Sequence, residues 1–259
     1  MTKTTTKTLT VANESLMFPK APLVEPTASG YIHIAVEVDK RPPFLPSSRK
    51  KRGLAAECKR WCERLETDPR VISAVVFDAF LIPPGRGEFL KRRPGKVHVA
   101  RFDLAILIET TSPEATDVVK ASPVYRALER AIEEAASFTH TVTATNVRRM
   151  GPVGSVNHEK QGVFLFNYFF ADDTAQNVAV WEDTAGWWGQ ETGLNNSTVL
   201  LPREGEGEDS NYNIINHCRW DSLREVLPSL AFKRTFRTFV LANFEANNVA
   251  AMPILYRAA

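Results

Sequence analysis

The chain has 259 residues, of which 44% are hydrophobic and 24% charged, and its formal net charge at pH 7 is only +2. These are ordinary values for a globular protein, and so small a charge gives no reason to expect binding to nucleic acid or to an acidic membrane. No stretch approaches the ~20 apolar residues that a membrane-spanning helix needs. Three cysteines form no disulfide framework and suit a reducing compartment. We therefore expect a cytoplasmic protein with neither nucleic acid nor membrane as a partner.

The first half of the chain alternates strands with helices. Its opening, MTKTTTKTLT, lacks the apolar run of a signal peptide, and we predict a flexible tail over residues 1–29. The elements that follow are a strand (GYIHIAVEV), a helix over 54–65, two strands (VISAVVFDAFLI and KVHVARFDLAILIE), a helix (SPVYRALERAIEEAASF) and a strand (HTVTATNVRRM). Ser122 is placed to cap the second helix, with Pro123 at its first position.

The same order of elements returns after a linker predicted over 152–162. A strand (VFLFNYFFA) precedes a helix (QNVAVWEDTAGWWGQETG), two strands (STVLLP and YNIINHCRW), a helical stretch interrupted by Pro228, and a closing strand (PILYR). Strand–helix–strand–strand–helix–strand is the ferredoxin-like unit. The sequence therefore predicts an α+β protein with one ferredoxin-like repeat over 30–151, which carries basic loop insertions, and a second over 163–259.

The strand sequences indicate how the two repeats pack. In VFLFNYFF both alternating sets of residues are apolar, whereas a sheet with one face in water would alternate apolar with polar residues. Helices cover one face of each sheet, so the other face needs a partner, and the sheet of the other repeat is available. We predict that the repeats pack sheet to sheet as an α+β barrel within one chain.

Two stretches of the second half resemble a known group. VWEDTAGWWGQETGLNNSTVLLP is similar to the first helix and following strand of the dimeric α+β barrel superfamily, to which antibiotic-biosynthesis-monooxygenase-like proteins belong, and YNIINHCRWDSLREVL is similar to its third strand. The first half matches by its layout alone. The resemblance implies two ferredoxin-like units around a lumen. Members include cofactor-independent monooxygenases, isomerases, haem-binding enzymes and proteins without known activity, so the fold does not fix the chemistry.

A polar cluster interrupts the strand YNIINHCRW. If Asn213, Ile215, His217 and Arg219 face the lumen, a histidine that titrates near neutral pH lies where a ligand would bind. Asn167, alone among apolar neighbours, is expected to point to the same lumen. We predict His217 as a catalytic acid or base, with Asn167 and Arg219 binding the ligand. The alternative is that His217 and Asn167 bond only each other or the backbone.

Further candidate ligand-binding residues are Trp187, predicted at the mouth of the lumen, and His33 and His98, predicted in strands that face it. Packing against a sheet is the alternative for Trp187. His140, at the start of a strand, is expected at the surface. The glycines at 186 and 189 indicate a helix that is bent, ends early or is closely approached. The sequence shows no metal-ligand spacing, so we predict neither a metal nor a cofactor.

Charge is distributed unevenly along the chain. Residues 39–101 hold 16 Lys and Arg against 7 Asp and Glu, whereas residues 151–259 hold 8 against 13. The basic excess lies in two proline-containing loops, KRPPFLPSSRKKR and PPGRGEFLKRRPGK. They are solvated loops, or they attract an anionic ligand, or they dock on the acidic half of a neighbouring chain.

Two classes of function remain open. The first is a small-molecule enzyme, monooxygenase-like or isomerase- or lyase-like, that acts on a largely apolar, aromatic substrate in the lumen. The second is a non-catalytic small-molecule-binding or haem-binding barrel protein. A lumen filled by its own side chains favours the second, and a cavity of several hundred Å³ the first. Homo-oligomer formation is left open by the sequence.

Overall fold

The structure is a computed structural model that describes residues 9–39, 41–83, 88–151, 162–207 and 210–259. The strands β1 to β9 are Leu23–Val24, Gly30–Glu37, Val71–Leu81, Leu104–Thr110, Phe138–Met150, Val163–Ala171, Ser197–Pro202, Ile214–Trp220 and Val249–Ala258. The α-helices α1 to α7 are Arg49–Leu65, Glu88–Lys91, Ala115–Ala121, Pro123–Ala135, Thr174–Thr192, Leu223–Phe232 and Ala242–Ala246, and a π-helix spans Phe236–Leu241. The predicted linker, apart from residue 162, lies outside the described residues.

Strands β2 to β9 form one closed antiparallel barrel of eight strands. The order is β5-β2-β4-β3 in the first half of the chain and β9-β6-β8-β7 in the second, so each half follows the ferredoxin-like order of fourth, first, third and second strand. Pairing of β3 with β9 and of β5 with β7 joins the halves at two seams. The predicted α+β barrel within one chain is confirmed.

The barrel has two apolar layers because both faces of its strands are buried. All nine residues of β6 are buried. Phe164, Phe166 and Tyr168 of β6 point into the lumen, while Leu165 and Phe169 point toward the helices. The pattern VFLFNYFF is therefore typical of a strand that packs against an aromatic core on each of its two faces.

Capping residues fix the ends of the helices that cover the sheet. The Ser122 side chain accepts from the backbone N–H of Tyr125 and begins α4, as predicted. Gly193, at φ +68°, ends α5. The predicted strand KVHVARFDLAILIE forms only from residue 104 onward. Just before it, the Asp103 carboxylate accepts from the backbone N–H groups of Val38 and Asp39 at 2.6 and 2.9 Å.

The N-terminal segment differs from the flexible tail predicted over 1–29. Residues 9–21 lie against the second half of the chain, where the backbone N–H groups of Thr10 and Ala12 donate to the side chains of Asn247 and Asn243, and strand β1 then pairs with β5 of the first half. An added Cβ at Gly186 would lie 1.7 Å from the Pro19 carbonyl oxygen. The predicted close approach to this glycine therefore comes from the N-terminal segment itself.

The second basic loop closes one end of the barrel, which we call the Phe89 end. Phe89 of α2 is fully buried and stacks on Phe170 with ring centroids 5.7 Å apart. Arg92 pairs with Glu245, and Arg93 pairs with Asp172 at 2.8 Å. The basic loop of the first half thus docks on acidic residues of the second half within one chain. Residues 84–87 of this loop lie outside the described part.

Across the described ranges, no helix has both the length and the apolar character needed to cross a membrane.

Candidate functional site

His217 lies in the lumen, on the strand face predicted from YNIINHCRW. Its ring stacks on Phe166 with centroids 4.2 Å apart and meets Phe77 edge-on at 5.5 Å. Nδ1 lies 3.3 Å from the Leu165 carbonyl oxygen, which leaves Nε2 as the lone-pair nitrogen when Nδ1 donates. Burial lowers the pKa of His217 to about 4, so the ring is uncharged at neutral pH.

Two more histidines share the lumen with His217. His33, predicted to face it, is fully buried, and its Nε2 lies 3.4 Å from the Tyr168 hydroxyl. His140 was expected at the surface, and this is wrong: it is 2% exposed, and Nδ1 bonds the Ser210 hydroxyl. Burial lowers the pKa of His140 to about 3 and, with smaller effects of His140 and His217, also lowers that of His33.

Two predicted ligand-binding residues lie at the ends of the barrel and not inside it. His98 is not in a strand: its Nε2 lies 2.8 Å from Glu37, and its ring stacks on Phe138 at the Phe89 end. Arg219 lies at the opposite end, where its guanidinium pairs with Asp221 at 2.7 Å.

Asn167 faces away from the lumen, contrary to the prediction. It shares its strand face with Leu165 and Phe169, so its side chain points under helix α5. The residue is 5% exposed, and its Oδ1 has no hydrogen-bond partner among the described residues. A buried carbonyl oxygen without a donor is costly, and in a native structure it calls for an explanation such as a ligand or water.

The side chain of Asn167 reaches a cleft between the second-half helices and the sheet, which we call the helix–sheet cleft. Two adjoining cavities of about 20 Å³ each share Leu165, Asn167, Trp188 and Phe244 as lining residues. Each has room for about one water molecule. Helix α5 forms one wall, and the π-helix contributes Phe236 and Leu241 to another. π-Helices occur frequently at functional sites because their extra residue disrupts regular packing.

Trp188 lines both cavities and stays partly exposed, whereas Trp187 does not reach the lumen mouth as predicted. Trp187 is fully buried, and its indole N–H donates to the Thr235 hydroxyl at 3.0 Å. It packs edge-on against Trp188, with ring centroids 5.2 Å apart. Trp187 therefore packs in the core, which was the alternative to a position at the lumen mouth, and Trp188 is the tryptophan that reaches the cleft.

The cleft is otherwise apolar, with a few polar groups beside Asn167. Asn216 pairs with Asn167 across β8 and β6, and its Oδ1 accepts from the Ser197 hydroxyl at 2.7 Å. Of the described residues that line the cleft, Cys218 alone is titratable, and burial raises the pKa of its thiol. Trp188, Asn216 and Ser197 were not predicted as site residues, although Asn216 directly precedes His217 in the polar run of the strand YNIINHCRW.

Solved structures with the same fold support the sequence resemblance. An anthrone oxidase-like protein superposes with a TM-score of 0.63 at 11% identity, covering 92% of this chain and 94% of its own. A candidate monooxygenase from Fusobacterium nucleatum gives 0.53 at 7% identity, covering 89% and 91%. A dye-decolorizing protein from V. cholerae gives 0.50 at 10% identity, covering 93% and 95%. No protein-family model and no curated protein matches the sequence. At these identities the likeness establishes the α+β barrel fold alone.

Proposed function

We propose that the protein is a monooxygenase-like enzyme that binds a small, largely apolar, aromatic substrate in the helix–sheet cleft. The observation that carries the proposal is the unpartnered Asn167 Oδ1, buried at the centre of a cleft with aromatic walls. It is placed to accept a hydrogen bond from a phenolic or enolic hydroxyl. An apolar pocket with a few convergent polar groups is the usual form of a small-molecule site.

The cleft suits such a substrate better than the lumen. Aromatic side chains fill the centre of the lumen, so the location expected for the substrate is occupied by Phe77, Phe166 and Tyr168. The cleft is narrow, but Trp188 lines both of its cavities and is partly exposed. Rotation of this indole toward solvent would widen both cavities for a flat ring system.

The chemistry follows from a substrate that stabilises its own carbanion, as an anthrone does. A ring CH₂ loses a proton to solvent water, and the carbanion transfers electrons to O₂. The carbon is oxidised to C=O with one oxygen atom, and the other oxygen atom leaves in water with the remaining hydrogens. Asn167 holds the hydroxyl that orients the ring, while Trp181 and Trp188 supply apolar surface against which a flat ring packs.

The described residues do not fit a haem. Histidine and cysteine thiolate are axial ligands of haem iron, and no histidine is among the described lining of the cleft. Cys218 does line it, but burial raises the pKa of its thiol and so disfavours the thiolate. His33, His140 and His217 lie in the lumen among packed aromatic rings, where a porphyrin has no room.

A non-catalytic small-molecule-binding protein is the second candidate. It is favoured by the filled lumen and by the lack of a near-neutral acid or base among the described lining residues of the cleft. Oxygen consumption separates the two candidates, because a binding protein retains the ring system without turnover.

The test is oxygen uptake with an anthrone as substrate, compared with spontaneous oxidation. Asn167→Leu replaces the hydrogen-bond acceptor by an apolar side chain of similar size, and we expect kcat/KM to fall by about 10-fold or more. The matched control is Tyr168→Phe, the next residue on the strand, which faces the lumen. Equal activity in Asn167→Leu and wild type would refute the cleft as the site, and binding without uptake would favour the second candidate.

A further inference from the structure

A separate cavity lies at the end of the barrel opposite Phe89. Its volume is about 50 Å³, enough for about three to five water molecules. We call it the mouth cavity. Thr27 lines it together with six polar residues of the barrel strands: Tyr31, Ser73, Glu109, Arg149, Thr198 and His217. Those six side chains come from six strands and both halves of the chain, so the cavity exists only in the closed barrel.

A β-bulge turns Arg149 into this cavity. Along β5 the lumen-facing residues are His140, Val142 and Ala144, so regular alternation would place Arg148 inside. The register against β7 shifts between Asn146 and Arg148, and Arg148 instead pairs with Glu182 on α5. Bulges re-aim side chains in this way and are common near functional sites.

Arg149 lines the cavity with a hydrogen-bond donor that is not used within the described protein. Its Nε is buried and has no hydrogen-bond partner among the described residues. A guanidinium N–H in a partly buried position is a strong donor to a carboxylate. The anionic part of a ligand would therefore lie against Arg149.

Two acceptors line other sides of the mouth cavity, Glu109 on β4 and His217 on β8. Ser29 and Tyr31 donate to the same oxygen of Glu109, Oε1, at 2.7 and 3.2 Å, which orients the carboxylate. Burial raises the pKa of Tyr31 to about 12, so its hydroxyl stays protonated and donates. The Nε2 lone pair of uncharged His217 is a second acceptor.

We infer that the mouth cavity binds a small zwitterion, with its carboxylate on Arg149 and its ammonium between Glu109 and His217. Among the described residues one cation, Arg149, and one anion, Glu109, line the cavity, so its charge matches a ligand that carries both signs and no net charge. A lone anion would face Glu109, and a lone cation would face Arg149. The cavity volume limits the ligand to the size of the smallest amino acids.

Calorimetric titration of the full chain tests this inference with glycine, alanine, acetate and methylamine as probes. We expect glycine or alanine to bind at millimolar concentration, and acetate and methylamine to bind at least about 10-fold more weakly, because each of them carries only one of the two charges. Arg149→Met and Glu109→Gln should each weaken the zwitterion by about 10-fold or more. The matched control is Arg148→Met, which should change the affinity less than about twofold since Arg148 lies outside the barrel.

Three results would overturn the inference: no heat with glycine or alanine, acetate as tight as glycine, or an equal loss in Arg148→Met and Arg149→Met. Melting temperatures of the variants identify any that fail to fold, and the wild-type ranking of the four probes does not depend on them. The helix–sheet cleft lies on the other face of the sheet, so Asn167→Leu should leave zwitterion binding unchanged. A failure here and a failure of the proposed oxygenase function are thus distinguishable.

Discussion

Mild acid should destabilise this barrel because three of its histidines are buried without charge. In the unfolded chain a histidine takes up a proton as the pH falls through about 6.5. In the folded protein His217 and His140 stay uncharged down to about 4 and about 3, because burial lowers their pKa values. The unfolded state therefore binds more protons below pH 6.5, and the free energy of unfolding falls as the pH is lowered.

The magnitude follows from the two pKa values. Between about pH 7.5 and about pH 5.5, each of these two histidines lowers the free energy of unfolding by about 1.3 kcal/mol. His33 acts in the same direction, since burial also lowers its pKa. His217 and His140 together cost the folded state roughly 2.6 kcal/mol, a large part of the stability of an ordinary domain, and His33 adds to this loss.

Urea unfolding followed by tryptophan fluorescence at several pH values measures this loss. His140→Gln removes one titrating group and can keep the bond to Ser210, so its stability should fall by about 1.3 kcal/mol less than that of wild type over the same range. Val142→Ala is the control: it creates a small void in the same lumen but leaves every histidine, so its curve should shift without a change of slope. Equal slopes in wild type and His140→Gln would refute the reasoning.

Two further predictions concern packing. Phe89→Ala removes the fully buried ring that closes one end of the barrel and should lower the free energy of unfolding in urea by about 3–5 kcal/mol. The control Phe44→Ala changes an exposed ring and should alter that free energy by no more than about 0.5 kcal/mol, and equal effects of the two variants would contradict this packing. Gly186→Ala forces the Pro19 carbonyl away and should destabilise the protein by about 1–3 kcal/mol. The control Gly53→Ala has nothing near its added Cβ and should stabilise α1 by about 0.5–1 kcal/mol. Stabilisation by both variants would show that the N-terminal segment does not pack on α5.

The barrel could be predicted from the sequence because the alternation of residues along a strand indicates which of its faces are buried. The two apolar faces of VFLFNYFF predicted a sheet buried on both sides, and the repeated order of elements supplied the topology. The same pattern could not say which face is the lumen, because Phe166 and Leu165 are equally apolar. Asn167 was therefore assigned to the wrong side of its strand.

Other misplaced residues depended on long-range packing. His140 looks exposed at the start of a strand, but residues distant in sequence bury it, among them Ser210, 70 residues away, and Tyr212. Arg149 lines the mouth cavity because of a shift in strand register, and the local sequence does not predict that shift. The N-terminal segment was expected to be free, although Gly186 in a helix already indicated a close neighbour.

The most direct test of the functional cleft is a crystal structure with a hydroxylated anthraquinone, the product type of the proposed oxidation. We expect the ring system between helix α5 and strand β6, with Trp188 displaced from the lining of the two cavities and a ligand hydroxyl within hydrogen-bonding distance of Asn167 Oδ1. A ring system bound in the lumen beside His217, or a cleft that stays closed at saturating ligand, would contradict the account.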